Sequence, residues 1–162
     1  DYPINDATSL LFRYNQNAGI YHCPADRSTV NDRPDKLRNR SYNMSNSVNC
    51  RADSHYRKLT EIRITTQLFV FIDEHEDSSD DAHFLVWANP DHRWVNMPAD
   101  RHGQSGVLSF ANGHVKRWKW KWPKQFKKKE SYWKRVENQA DLADLRRLQT
   151  AYRAFPETPP SP

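Results

Sequence analysis

Arg101-His102-Gly103-Gln104-Ser105-Gly106-Val107-Leu108-Ser109-Phe110-Ala111-Asn112-Gly113-His114-Val115 is the stretch whose reading decides the fold. An Asn-Gly pair flanked by alternating apolar residues is the strongest short-range hairpin signal, because both central residues of a type I′ turn need positive φ. The expectation is a two-residue turn at Asn112 and Gly113 that sets Phe110 beside Val115. That register raises a difficulty. With Phe110 and Val115 on one face, Trp118, Trp120 and Trp122 fall on the other. Either a bulge near Lys116-Arg117 flips the register, or the sheet is covered on both sides.

Outward from the hairpin, strand candidates lie at residues 41–48, 67–73, 83–88, 106–111 and 114–120, and their short connections favour antiparallel pairing. Residues 24–39 carry Pro24, Pro34 and many charges and read as a surface loop. Asn5-Asp6 offers an N-cap, and Leu10, Leu11 and Tyr14 sit at near-helical spacing before Asn17-Ala18-Gly19 stops the run. The C-terminal helix is better signalled. Asn138 can cap it, Asp141 and Asp144 lie early, Arg146, Arg147 and Arg153 lie late, and Leu142, Leu145, Leu148 and Tyr152 form an apolar stripe. The expected class is α+β, an antiparallel β-sheet with flanking helices. One domain spans residues 1–155, and a proline-rich tail at 156–162 has too few apolar residues to pack.

The 162 residues carry a net charge of +5, but the charge is segregated. Between Lys116 and Arg135 there are ten Lys or Arg and one acid, Glu130, a balance of +9, so the remainder of the chain sums to −4. The counterpart is an acidic knot at residues 73–81, which holds Asp73, Glu74, Glu76, Asp77, Asp80 and Asp81. A general nucleic-acid-binding surface would not usually include such a knot, so nucleic acid is disfavoured as a partner. Hydrophobic residues make up 36%, yet six Trp, seven Tyr and seven Phe supply a small aromatic core. Cysteine occurs twice, as Cys23 and Cys50, without a Cys-x-x-Cys zinc or redox motif.

His102 precedes Asn112-Gly113 by nine intervening residues. Together with Tyr21-His22-Cys23-Pro24-Ala25-Asp26, Arg40-Ser41-Tyr42-Asn43-Met44-Ser45 and Phe69-Val70-Phe71-Ile72-Asp73-Glu74-His75, in that order along the chain, this spacing resembles an H-x9-DG family of prepilin-like exported bacterial proteins related to type II secretion pseudopilins. Asn112 stands where the family usually has Asp, which keeps a turn-compatible residue while removing a carboxylate. The family's N-terminal apolar helix has no equivalent here, so the chain reads as the soluble head of a longer protein. The resemblance implies a pseudopilin-like head, exported to the periplasm or cell envelope. It also implies pseudopilin-like subunits or envelope components as partners, and membrane anchoring through the missing helix. In an exported compartment the economical reading of Cys23 and Cys50 is one disulfide; the alternative is two buried free thiols.

Several residues carry chemistry on their own. Calcium takes six to eight oxygens, and a flexible loop with Asp73, Glu74, Asp77, Asp80 and Asp81 offers several of them, although the spacing is not that of an EF-hand. Major pseudopilins, which the chain resembles, bind calcium in a loop of their C-terminal sheet. If the protein is instead an enzyme, His75, His83 or His102 beside these carboxylates would activate water in a metal-dependent hydrolase of small esters or lactones. Gly103-Gln104-Ser105-Gly106-Val107 lacks the second glycine of a nucleophile elbow. Lys116, Arg117, Lys119 and Lys121 alternating with Trp118, Trp120 and Trp122 fit a polyanion-binding module, and equally an ordinary half-buried strand with a solvated face. The first expectation remains a structural or interaction protein, tightened by calcium and a disulfide.

Overall fold

The computed structural model describes residues 4–5, 9–30, 33–49, 56–79, 81–126 and 133–153. Asp6, Cys50, Asp80 and the tail at 156–162 lie outside them. In chain order the elements are α1 (Phe12–Asn15), a 3-10 turn at Ala18–Tyr21, β1 (Thr29–Val30), β2 (Arg33–Leu37), β3 (Tyr42–Ser45) and a second 3-10 turn at Leu59–Glu61. There follow β4 (Phe69–Asp73), β5 (His83–Phe84), β6 (Arg93–Trp94), β7 (Ser105–Phe110), β8 (Val115–Lys119), β9 (Lys134–Arg135) and α2 (Gln139–Arg153). The fold is α+β. A central sheet has the order β5-β3-β4-β7-β8, antiparallel except where β5 joins β3 in parallel. β1 pairs with β2, and β6 with β9, in two small separate sheets. The stretch 24–39, read as loop, thus contains a hairpin. Among its described residues, the near-helical N-terminal run yields the four residues of α1. Among the described residues no helix is long and apolar enough to cross a membrane.

The hairpin departs from the expected turn by one residue, and that residue resolves the difficulty over the tryptophans. Ser109, not Phe110, lies opposite Val115. The loop is Ala111-Asn112-Gly113, closed by Gly113 N donating to Phe110 O at 2.8 Å and Phe110 N donating to His114 O at 2.9 Å. Only Gly113, with φ of 88°, takes the left-handed conformation; Asn112 does not. This is the three-residue hairpin with a glycine bulge at its end. The extra residue sits in the turn itself, not near Lys116-Arg117. It puts Trp118 opposite Gly106 and turns Trp118 and Trp120 to the same side as Leu108 and Phe110.

That side is the core. Phe69, Ile72, Phe84, Leu108, Phe110 and Trp118 from the sheet form one buried cluster with Leu145, Leu148, Ala151 and Tyr152 of α2, with Trp120 just beyond β8 and with Trp94. Gly106 is the point of closest approach: a side chain there would meet the Ala99 carbonyl at 2.9 Å and the Trp120 ring at 3.0 Å. α2 starts where its cap predicts. Asn138 Oδ1 accepts from Ala140 N at 2.9 Å and Asp141 N at 3.1 Å. The Arg147 guanidinium lies 3.8 Å from the Trp118 ring centre, covering that indole from the helix.

A buried cation fixes α2 to the sheet. Lys124 is 1% exposed, and its Nζ donates at 2.8 Å to Asp141 Oδ1 and at 2.8 Å to Asp144 Oδ2. Trp94 and Trp120 flank it, with ring centres 5.0 and 5.6 Å away. The remaining lone pairs are also used. Asp141 accepts from Trp94 Nε1 and Glu137 N, and Asp144 accepts from Lys121 N and Trp122 N. A buried ion pair is stable only when its hydrogen bonds are this complete.

Two outcomes follow from these contacts. Lys124→Ala should destabilise by about 3–5 kcal/mol in chemical denaturation, because two buried carboxylates are left without their cation. Gly113→Val should lower the melting temperature clearly, since a β-branched residue is strained at that φ, while Asn112→Asp should leave it nearly unchanged. The aspartate keeps the Oδ1 that accepts from His114 N at 3.3 Å.

Candidate functional site

The sheet's second face, opposite α2, carries Tyr42, Phe71, Asp73, Val107 and Ser109 by strand alternation. Its lower end is where the motif stretches meet. Ser41 is the hub: its backbone N–H donates to Tyr21 O at 2.9 Å, its carbonyl accepts from Glu74 N at 3.0 Å, and its hydroxyl donates to Asp26 Oδ2 at 2.6 Å while accepting from Cys23 N at 3.1 Å. The Cys23-Pro24-Ala25-Asp26 loop is thereby pinned against the start of β3 and the end of β4. A tight turn, with Gly103 at φ 65° and Gln104 at φ 56°, precedes β7 and delivers Arg101 and His102 to the same place.

Arg101 binds three carboxylates. Its guanidinium donates to Asp73 Oδ1 and to Glu76 Oε2, the latter at 3.1 Å, lies 3.4 Å from Asp26 Oδ2, and also donates to the Glu74 carbonyl. Asp73 is fully buried. Burial pushes its carboxyl above the usual range, against the pull of Arg101. Burial also raises Asp26, but hydrogen bonds from Ser41 and Ser28 outweigh it and hold that carboxyl below the usual range. Burial pushes the Tyr42 phenol up, and neighbouring Cys23 and Asp73 add to the shift.

Cys23 Sγ, Asp73 and His102 form the only group of three His, Cys, Asp or Glu side chains among the described residues whose ligand atoms all lie within 4.8 Å of one another. His102 Nε2 is 3.2 Å from Cys23 Sγ and 3.4 Å from Asp73 Oδ2. Cys23 is a buried free thiol; its expected disulfide partner, Cys50, lies outside the described residues.

Among the described residues the acidic knot does not close on a common point. Asp73 faces His102, whereas Glu74 points to the opposite face of the sheet. There Glu74 accepts from Ser78 Oγ at 2.7 Å, Asn96 Nδ2 at 2.9 Å and Asn43 Nδ2. Asp77 and Asp81 are exposed. His75 Nδ1 accepts from Asp77 N at 3.2 Å, and His83 is exposed beside Asp81, so neither joins His102. In the basic run, Trp118 and Trp120 belong to the core and Trp122 Nε1 donates to Glu137 at 3.0 Å. Lys116, Arg117, Lys119 and Lys121 are exposed without an aromatic platform between them. Asp26, Ser41, Tyr42 and Arg101 were not singled out as site residues from the sequence. Their signal lay in the same motif stretches.

Glu74 makes a separate, titratable point. Burial raises its pKa from about 4.5 to about 8, partly offset by hydrogen bonds from Ser78, Asn43 and Asn96. The folded state therefore keeps a proton that the unfolded chain releases, and stability should fall as pH rises from about 4.5 through about 8. Glu74→Gln should flatten that dependence, as read from melting temperatures across the window; an equally steep slope in the variant would assign it to another group.

Comparison with protein-family models, with curated proteins and with solved structures returns no match, so the functional reading rests on the site itself.

Proposed function

We propose that this protein is a structural and interaction component, the soluble head of a pseudopilin-like exported protein, that joins like subunits or envelope components rather than turning over a substrate. The observation that carries this reading is the unequal covering of the two sheet faces. One face is sealed by α2 and the aromatic core. The other opens into an apolar cleft of about 400 Å³ lined by Leu11, Ile20, Tyr42, Phe71, Val107 and Val115. Of its lining, Leu11 and Ile20 are exposed, as are Leu10 and Tyr14 in the same N-terminal segment. Exposed apolar surface of this kind supports a role in packing against another helix or subunit. The four motif stretches that resemble the pseudopilin-like family support the same assignment.

The test is photocrosslinking from Val107 in protein expressed from its complete gene in the cell envelope. Adducts to a like subunit or to an envelope component, lost on Phe71→Asp, are the expected result. Recovery without an adduct to either would overturn the proposal. A second reading, a metal-dependent hydrolase of small esters or lactones, is favoured by the approach of His102 to Asp73. Ester or lactone turnover abolished by His102→Ala would select it instead.

A further inference from the structure

We propose that Cys23, Asp73 and His102 form a zinc site, with Cys23 Sγ, Asp73 Oδ2 and His102 Nε2 as ligands and a fourth position open to water. The inference is independent of the assembly reading. Three observations carry it.

The first is an orphaned ligand atom. Asp73 is fully buried, and its Oδ2 has no hydrogen-bond partner, while Oδ1 is held by Arg101. A buried carboxylate oxygen without a partner is costly, and this one points at Cys23 and His102. Arg101 fixes the carboxylate so that the free oxygen faces the other two ligands, which is how outer groups orient metal-binding side chains.

The second is geometry. Sulfur at about 2.3 Å and nitrogen or oxygen at about 2.0–2.2 Å from a tetrahedral zinc ion lie about 3.3–3.6 Å from one another. The observed separations are 3.4 Å for Nε2 to Oδ2, within that spacing, and 3.2 Å for Sγ to Nε2, a few tenths of an ångström shorter, with all three ligand atoms within 4.8 Å of one another. The competing arrangement of these three residue types is a nucleophilic triad, in which one imidazole nitrogen takes the thiol proton and the other donates to the carboxylate. Here thiol and carboxylate meet the same nitrogen, Nε2, whose single lone pair or single proton cannot serve both. A cation between them satisfies all three.

The third is charge and donor type. Asp26, Asp73 and Glu76 face one guanidinium, that of Arg101, so the cluster has room for further positive charge. A thiolate, a neutral imidazole and one carboxylate suit zinc; calcium and magnesium prefer oxygen ligands throughout. On binding, Cys23 loses its proton to solvent and the Zn–S bond replaces the S–H bond. No redox change is involved. The metal would tie three distant segments of the chain together: the Cys-Pro loop, the end of β4 and the turn before β7.

Cobalt is the spectroscopic probe and zinc the thermal one, both added to the whole chain after chelator treatment with its thiols reduced. One equivalent of Co²⁺ should give a thiolate-to-metal charge-transfer band and the intense visible bands of a four-coordinate ion, both bleached by zinc. Cys23→Ser should abolish the charge-transfer band and His102→Ala should weaken binding at least tenfold, whereas the exposed His92→Ala should do neither. Zinc at a hundredfold excess over its Kd should raise the melting temperature of the unaltered chain by about 5–10 °C. That measurement holds even if a variant fails to fold. Absence of both the spectrum and the melting shift, or a charge-transfer band that survives Cys23→Ser, would overturn the proposal. So would a Cys23–Cys50 disulfide found by mass spectrometry in protein taken from its native compartment.

Discussion

The Lys124 ammonium, enclosed by Asp141, Asp144 and two indoles, is the contact on which the rest of the architecture depends. Its carboxylates sit one helical turn apart on α2, its lysine follows the last strand of the hairpin, and Trp94 comes from the small β6 strand. One charge therefore correlates three elements, alongside the hydrogen bonds that Arg146 and Gln149 of α2 donate to carbonyls of residues 87–91. Hydrophobic burial supplies most of the driving force for docking α2, but it is non-directional. The ion pair fixes where along the sheet the helix lies, because sliding by one turn would leave a carboxylate buried and unpaired.

The hairpin contributes a second constraint of a different kind. A glycine bulge adds one residue to the turn, and a one-residue change in register moves every following side chain to the other face. Trp118 and Trp120 reach the core only because of it. Trp120 then donates to the Ala99 carbonyl at 2.8 Å across the Gly106 backbone. That carbonyl belongs to the segment running on to Arg101 and His102, so the turn at one end of β7 and the polar cluster at the other are mechanically linked through the same strand.

Much of this was readable in the sequence, and the unread part has a physical reason. The Asn-Gly turn, the strand positions and the Asn138 cap are local signals carried by a few adjacent residues, and they located the sheet and α2. The loop length was missed because Asn-Gly suits both a two-residue turn and a three-residue turn ending in a bulge. Which one forms is decided by Trp118 and Trp120, five and seven residues beyond Gly113. Lys124 was hidden inside a run of cations; nothing local marks the one that is buried. The opposite orientations of Asp73 and Glu74 follow from strand alternation alone, so treating the acidic knot as a single ligand set neglected a signal that was present. Cys23 and His102 are far apart in sequence, and only the sheet brings them together.

The basic run acquires a different meaning once β8 is seen to be an outer strand. β8 ends the sheet order, and among the described residues one row of its backbone donors and acceptors has no neighbouring strand. Such a rim is a template for pairing with another chain. Here it is flanked by the exposed cations Lys116, Arg117 and Lys119. Two copies approaching rim to rim would bring like charges together and lose their hydration before any backbone bond could form. Exposed positive charge thus lies along the very rim where sheet-to-sheet pairing would begin, which disfavours that pairing.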